Sequence, residues 1–346
     1  MTPSTPAAAS APAAVPLASS PTIPKAEIHM HLEGALESEL LVTLARRNGV
    51  QLPTYDPEVL DARYRFGELQ DFLDVYFDNL AVMRTAEDFH DLAALYLRRA
   101  REEGVVRAES FFNPMVHVRA GVPLAAVMEG YGAAFADARR DGLSCDLILD
   151  FTRDLGAEAA DQMLTDIAPF RDMIIGVGLD STEVGYPPVL FRDVFARAEA
   201  DGLHRTCHAG EEGDPEYVRQ ALDDLRVERI DHGLRAVEDP ELLKRIAGEQ
   251  IAVNVCPLSN VALRAVDRME QHPVFAMLEA GIPATISSDD PAYFGGQIGA
   301  NFAALEAIGT PRDVLIGCIE NSFEAAFIDG AERERHLAAL RAAAVS

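Results

Sequence analysis

Four short clusters carry the residue types that do chemistry: His29-Met30-His31, His208-Ala209-Gly210-Glu211, Asp231-His232-Gly233 and Asp289-Asp290-Pro291. Each follows or ends a run that reads as a β-strand. Together they offer three imidazoles and a carboxylate, from His29, His31, His208 and Asp289, to one divalent metal. Glu211 and His232 are left to move protons. Three nitrogen ligands, one carboxylate and an open position for water suit Zn2+, and Fe2+ or Co2+ could occupy the same donors. Water on such an ion ionises near neutral pH, so the inventory points to metal-assisted hydrolysis.

Each cluster alone is weak. His29 and His31 are two residues apart, which puts both rings on one face of a strand, but a buried histidine pair also occurs in ordinary polar cores. His208 could simply end a strand before a glycine turn, and Asp289-Asp290 before a proline could cap a helix. What joins them is position: all fall at the C-terminal ends of expected strands. Glu211, at the top of the His208 strand, would have a raised pKa beside a dry pocket and could deliver a proton. Glu212 reads as a surface or supporting acid. His232 is placed to hold the attacking oxygen.

The elements that must position these residues alternate. Strands are expected at Ala26 to Leu32, Val105 to Phe112, Cys145 to Phe151, Ile174 to Asp180, Leu203 to His208, Arg229 to His232, Ile251 to Cys256 and Ala284 to Ser288. Helices are expected between them, with apolar residues such as Leu69, Phe72, Leu73, Tyr76 and Leu80 at helical spacing. Eight such units predict an α/β fold, a (β/α)8 TIM barrel over residues 24–346. It carries a helical insertion after strand 1, a candidate lid, and extra helices from about Asn301 to Ala344. In that fold the C-terminal ends of the strands form the active face. A doubly wound open sheet would not bring the first and last strands together, and the ligand set needs both.

Composition limits the partners. The 346 residues carry a formal charge of −26, which argues against nucleic acid, and no Lys/Arg cluster suggests a phosphate surface. A small neutral or cationic molecule fits better. The first 23 residues are rich in Ala, Pro and Ser, have no basic n-region, and read as a disordered tail. No long apolar run suggests a membrane span. Cys145, Cys207, Cys256 and Cys318 lie far apart and form no C-x-x-C pair, as expected of buried free thiols in a cytoplasmic protein. The sequence leaves room for a homo-oligomer.

The segments PKAEIHMHLEG (Pro24 to Gly34), CHAGEEG (Cys207 to Gly213), RIDHGLR (Arg229 to Arg235), VCPLSN (Val255 to Asn260) and SSDDPAYFGG (Ser287 to Gly296) resemble the adenosine/adenine deaminase family of the amidohydrolase superfamily. They run in the family's order over nearly the whole chain. The resemblance implies that His29, His31, His208 and Asp289 ligate zinc and that Glu211 protonates purine N1. It implies that His232 orients the nucleophile at C6 and that Asp290 bonds N7. Glu33 stands where adenosine deaminases usually carry a ribose-facing Asp, and its longer side chain would intrude on the ribose. GVGLDSTEVG (Gly176 to Gly185) resembles the adenine deaminase branch, which puts Ser181 and Glu183 near purine N3. The implied reaction is hydrolysis of adenine to hypoxanthine and ammonia, in purine salvage. Adenosine, an N6-substituted adenine or another 6-aminopurine are the alternatives. The stretch from Asn113 to His117 departs from that branch's usual Phe-Asp-Pro-Gln-Thr-His, either as loop drift or as an altered pocket.

Three other classes fit these residues less well. Lactonases and amidases on this barrel often use two metals bridged by a carboxylated Lys, and no Lys ends an expected strand. A non-catalytic purine binder would need a vestigial metal set, yet no position is missing. A cytidine-deaminase fold lacks its H-x-E and P-C-x-x-C signature here.

Overall fold

Short β-rich runs bounded by turn residues alternate with amphipathic runs, and a computed structural model describes the outcome for Ser20 and residues 22–344. The first strand and the insertion after it comprise β1 (Lys25–Glu27), α1 (Ser38–Asn48), α2 (Pro57–Asp61), α3 (Leu69–Leu80) and α4 (Ala86–Glu102). Then come β2 (Val105–Phe112), α5 (Pro114–Arg119), α6 (Leu124–Arg140), β3 (Ser144–Thr152), α7 (Ala157–Asp166), β4 (Ile174–Asp180) and α8 (Arg192–Ala200). The second half holds β5 (His204–Ala209), α9 (Pro215–Asp223), β6 (Arg229–His232), α10 (Pro240–Glu249), β7 (Ala252–Val255), α11 (Pro257–Ala262), α12 (Val274–Glu279) and β8 (Ala284–Ile286). Three helices finish the chain, α13 (Ile298–Ala307), α14 (Arg312–Ala325) and α15 (Gly330–Ala344).

The eight strands are parallel and pair in sequence order, surrounded by helices, as a (β/α)8 barrel requires. The seam between β8 and β1 is closed differently from the rest. The first strand, expected to reach Leu32, ends at Glu27. Beyond it the chain bends at His29 and pairs only through isolated bridges, Met30 with Asp289 and His31 with Phe111, and the His31 N–H donates to the Asp289 carbonyl at 2.9 Å. Side chains replace the missing ladder: the Glu27 carboxylate accepts from the Ser288 N–H (3.2 Å) and hydroxyl (2.6 Å) and from Tyr96 (2.8 Å). This seam holds His29 and His31 against Asp289.

Other boundaries moved for local reasons. The helical stretch expected over residues 66–103 breaks into α3 and α4 because Thr85 and Asp88 form a capping box that starts a new helix. Helix α7 ends at Asp166 and gives way to a 3-10 turn, Ala168–Met173, carrying Pro169. Most of the expected tail lies outside the described residues. Of its described part, Ser20 and Ile23 are buried, and the buried Lys25 ammonium donates to their carbonyls, each at 3.2 Å.

The opposite end of the barrel is plugged by charge. Arg107, Glu109 and Arg229 are all buried. The Glu109 carboxylate accepts from Arg107 (2.8 Å) and Arg229 (2.5 Å), and from the Phe327 N–H at 2.6 Å. The Phe327 ring covers the Arg229 guanidinium at 3.8 Å, so the link between α14 and α15 seals the floor. Removing the central anion leaves two buried cations under-compensated. Glu109→Gln is therefore expected to cost about 3–5 kcal/mol of stability in denaturant titration, with kcat of the folded fraction unchanged. A loss below about 1 kcal/mol, the scale of an exposed pair, would show that the plug is not stabilising.

Candidate active site

The strand ends that carry the chemistry bend sharply. His232, Asp289 and Ser181 adopt left-handed backbone conformations, with φ of 64°, 65° and 70°. Such conformations cost about 1–3 kcal/mol each in non-glycine residues and need a surrounding structure that enforces them. Gly34 is required for a different reason: a Cβ there would lie 2.0 Å from Asp290 Oδ1.

The ligand candidates converge. His31 Nε2 lies 3.1 Å from His208 Nε2, and Asp289 Oδ1 lies 3.2 Å from His29 Nε2 and 3.5 Å from His31 Nε2. All four side chains are buried. A tetrahedron with bonds of about 2.05 Å has edges of about 3.3 Å, so these separations match the edges of a four-ligand site. Carboxylates face the other ring nitrogens. Asp231 approaches Nδ1 of His29 (3.3 Å) and of His208 (3.9 Å), while Asp150 and Asp180 approach Nδ1 of His31 (3.7 and 3.8 Å). Protons drawn to the Nδ1 side leave Nε2 lone pairs facing one another, an arrangement that a cation relieves. Burial lowers the His31 pKa to about 4 and pushes His208 well below its usual range, so both are neutral, as ligands must be; His29 is raised instead, its burial outweighed by Cys256, Asp231 and Asp289, so a cation there displaces its proton. The donor set therefore fits a divalent metal.

Asp231 is the group that reading the sequence missed. It lies opposite His208 in the β5–β6 register, and its carboxylate is pinned by Thr206 (2.5 Å) and Asn254 (2.7 Å). The available signal was an acid between Ile230 and His232 in a strand whose every residue is buried. Asp150 and Asp180 were missed for the same reason, as acids inside or at the end of apolar strands.

One cavity joins these groups. Its wall includes His31, His208, Glu211, His232, Asp289, Asp290, Asn113, Asp180 and Ser181. Leu69, Phe72, Leu73, Tyr76 and Phe77 of α3 cover it, so the insertion is indeed placed over the mouth. Burial first, then the charge of Asp289, raises the Glu211 pKa well above the carboxylate range, and the same two causes raise Asp290. Both are held as acids. Burial lowers His232 to about 3, so that ring is neutral. His232 Nε2 lies 3.6 Å from Glu211 Oε2.

Two expected substrate contacts are not on this wall. Glu183 turns its carboxylate to the backbone N–H groups of Gly210 (2.5 Å), Glu212 (2.8 Å) and Gly213 (2.7 Å). It fixes the turn that carries Glu211, because three unpaired amides in a tight turn attract a carboxylate more strongly than an open cavity does. Glu33 accepts through Oε1 from Tyr131 (3.0 Å), the Asn113 N–H (3.2 Å) and, at 3.2 Å, His117, while its buried Oε2 has no partner. The departing segment is thus a packed shelf: Asn113 donates to Asp180 (2.8 Å) and Thr152 (3.1 Å), which leaves its buried Oδ1 without a partner.

Residues 24–342 match the family model described as adenosine deaminase. The adenine deaminase of Streptomyces coelicolor is 52% identical over 324 residues, covering 92% of this chain and 95% of that protein. The adenine deaminase of Bordetella avium is 54% identical over 84% of this chain and 93% of its own length. Among solved structures, the adenine deaminase of Arthrobacter aurescens superposes with a TM-score of 0.91 at 42% identity, covering 93% of this chain and 99% of that one. An amidohydrolase from Burkholderia ambifaria, solved with bound Zn, gives 0.87 at 28% identity, covering 94% and 91%. The fold is that of a barrel hydrolase of the amidohydrolase type. Within that class, the chain belongs to the adenosine deaminase family.

If Asp231 orients two of the ligands, Asp231→Asn should weaken metal binding by about 10–100-fold, read by competition with a chelator, while the circular dichroism spectrum stays native. Unchanged metal affinity would remove Asp231 from that role.

Proposed function

We propose that this chain hydrolyses adenine to hypoxanthine and ammonia. The observation that carries this reading is the convergence, in one covered cavity, of a four-ligand metal group with a protonated carboxyl, Glu211, and a neutral imidazole, His232. His29, His31, His208 and Asp289 would hold the cation; zinc is favoured by the donor set and by the relative solved with Zn. When bound, the cation supplies a Lewis acid that lowers the pKa of water.

The chain's own residues supply the rest. Glu211 donates its proton to ring N1, which makes C6 electrophilic. His232 orients the water at C6 and stabilises the charge that develops on its oxygen. Asp290, also held as an acid, donates to N7. The C6–O bond forms as the water gives one proton back to the Glu211 carboxylate, its second proton passes to the exocyclic amine, the C6–N bond breaks, and ammonia leaves: adenine plus water gives hypoxanthine plus ammonia. The apolar side chains of α3 lie over the base and exclude bulk water.

The free base is favoured over a nucleoside by the relatives named adenine deaminase and by the wall facing the N3–N9 edge. There Ser181 Oγ and Asn113 Oδ1 are buried without partners. The hydroxyl suits N3, and the amide oxygen suits an N9–H that adenosine lacks. Glu183 and Glu33 act from behind this wall. Four free, buried cysteines support a reducing cytoplasm, and purine salvage is the corresponding role.

Adenine, adenosine and an N6-methylated adenine, assayed side by side by loss of the purine absorbance, decide the substrate. Adenine is expected to turn over fastest, and faster turnover of adenosine would refute the free-base reading. Glu211→Gln should retain metal and lower kcat at least ~100-fold; near-normal activity would remove Glu211 as the acid. The sign of the pH dependence follows from the acid form being active. kcat/KM should fall as pH rises through the elevated Glu211 pKa, and metal should be lost in acid, as pH falls toward the His31 pKa of about 4 and the ligand imidazoles protonate. His208→Ala should lose metal and activity together, and full metal occupancy in that variant would contradict its place as a ligand.

A further inference from the structure

A chain of hydrogen bonds behind His232 leaves only one way to place its proton. At the start of α12 the Val274 N–H, which can only donate, points at His272 Nδ1 at 3.1 Å. Nδ1 of His272 therefore accepts, and in the neutral ring the proton sits on Nε2. That Nε2 lies 3.2 Å from Asn260 Oδ1, which accepts it. The orientation of the Asn260 amide follows. Reversing it would set an N–H against the His272 N–H, and His272 cannot give up both protons. Asn260 Nδ2 then has two hydrogens for two neighbours, His232 Nδ1 at 3.0 Å and Glu211 Oε1 at 3.3 Å. His232 Nδ1 must accept, so its single proton is on Nε2, the nitrogen facing Glu211 across the cavity at 3.6 Å. Asn260, His272 and His232 are all buried, so bulk water does not compete for any of these bonds.

We propose that Asn260 and His272 are positioning residues that lock His232 as the Nε2–H tautomer. His232 then serves the reaction as a hydrogen-bond donor to the attacking oxygen, and not as the base that takes its proton. This rests on the deaminase reading above and refines it. A donor aimed at an oxygen that gains negative charge in the transition state strengthens as the reaction proceeds, whereas an imidazole with a free Nε2 lone pair would repel it. The same amide reaches Glu211, so one side chain sets the geometry of both proton-handling groups.

The most direct test is neutron diffraction from crystals of the metal-loaded enzyme exchanged into deuterated buffer. A deuteron on His232 Nε2 and none on Nδ1 is expected. A deuteron on Nδ1, alone or together with Nε2, would overturn the proposal. Kinetics provide a second arm. Asn260→Asp is close to isosteric but can only accept from His232 Nδ1, so it forces the other tautomer. Its kcat for adenine should fall ~100-fold or more, with KM changed by less than about threefold. His272→Leu should lose about tenfold or more in kcat, and His272→Gln, which keeps a donor at similar reach, should recover most of it. An Asn260→Asp enzyme with kcat within threefold of wild type would contradict the donor role. Wild-type enzyme inert toward every 6-aminopurine would instead refute the deaminase reading, and the deuteron position would still decide the tautomer.

Discussion

Three imidazole nitrogens and a carboxylate oxygen face one another at the rim of the barrel with no room between them for bulk solvent. Left alone, lone pairs at 3.1–3.5 Å in a buried site repel. A divalent cation turns that repulsion into coordination, and much of the surrounding structure exists to keep the four groups in place. The seam between β1 and β8 delivers His29, His31 and Asp289 to one point. Strand β5 brings His208 from across the ring. Behind them Asp231, Asp150 and Asp180 face the far nitrogens of the rings at 3.3–3.8 Å.

That centre sets the electrostatics of its neighbours. Glu211 and Asp290 sit near the Asp289 charge in a desolvated cavity, so both favour the protonated form; His232, equally buried, favours the neutral one. An acid, a neutral imidazole and a cation site then meet on one cavity wall, while α3 closes the other side with apolar surface. Strain at His232 and Asp289 is part of the same design: each turns its side chain inward by a backbone conformation that an ordinary strand exit does not provide. The floor of the barrel, held by Glu109 between two arginines, is built for stability and lies apart from this chemistry.

Much of this was legible in the sequence because its signals are local. Apolar runs alternating with amphipathic ones mark the barrel, and each chemical cluster sits at a strand end. His29-x-His31 and Asp289-Asp290 are visible as spacing. What stayed hidden depends on distant residues. The first strand stops at Glu27, not Leu32, because Ser288 and Tyr96, far away in sequence, take over its bonding. Glu33 and Glu183 looked like substrate contacts from their place beside catalytic motifs. Their carboxylates also satisfy backbone amides that only folding brings near, Glu183 at the turn before α9 and Glu33 through one oxygen at Asn113. Asp231 was in plain view, but its role follows from its register opposite His208. The Asn260–His272 relay joins the last residue of the VCPLSN segment to a histidine that lies outside every such segment.

X-ray absorption at the metal edge of the as-purified protein tests this centre most directly. One metal per chain is expected, with nitrogen and oxygen neighbours at about 2.0–2.2 Å and no heavier scatterer nearby. Cys256, which lies close to His232 and Asp289 in a second potential ligand group, offers the contrasting signature. A sulfur neighbour at about 2.3 Å, or a second metal at about 3.5–4 Å, would contradict a single ion held by His29, His31, His208 and Asp289.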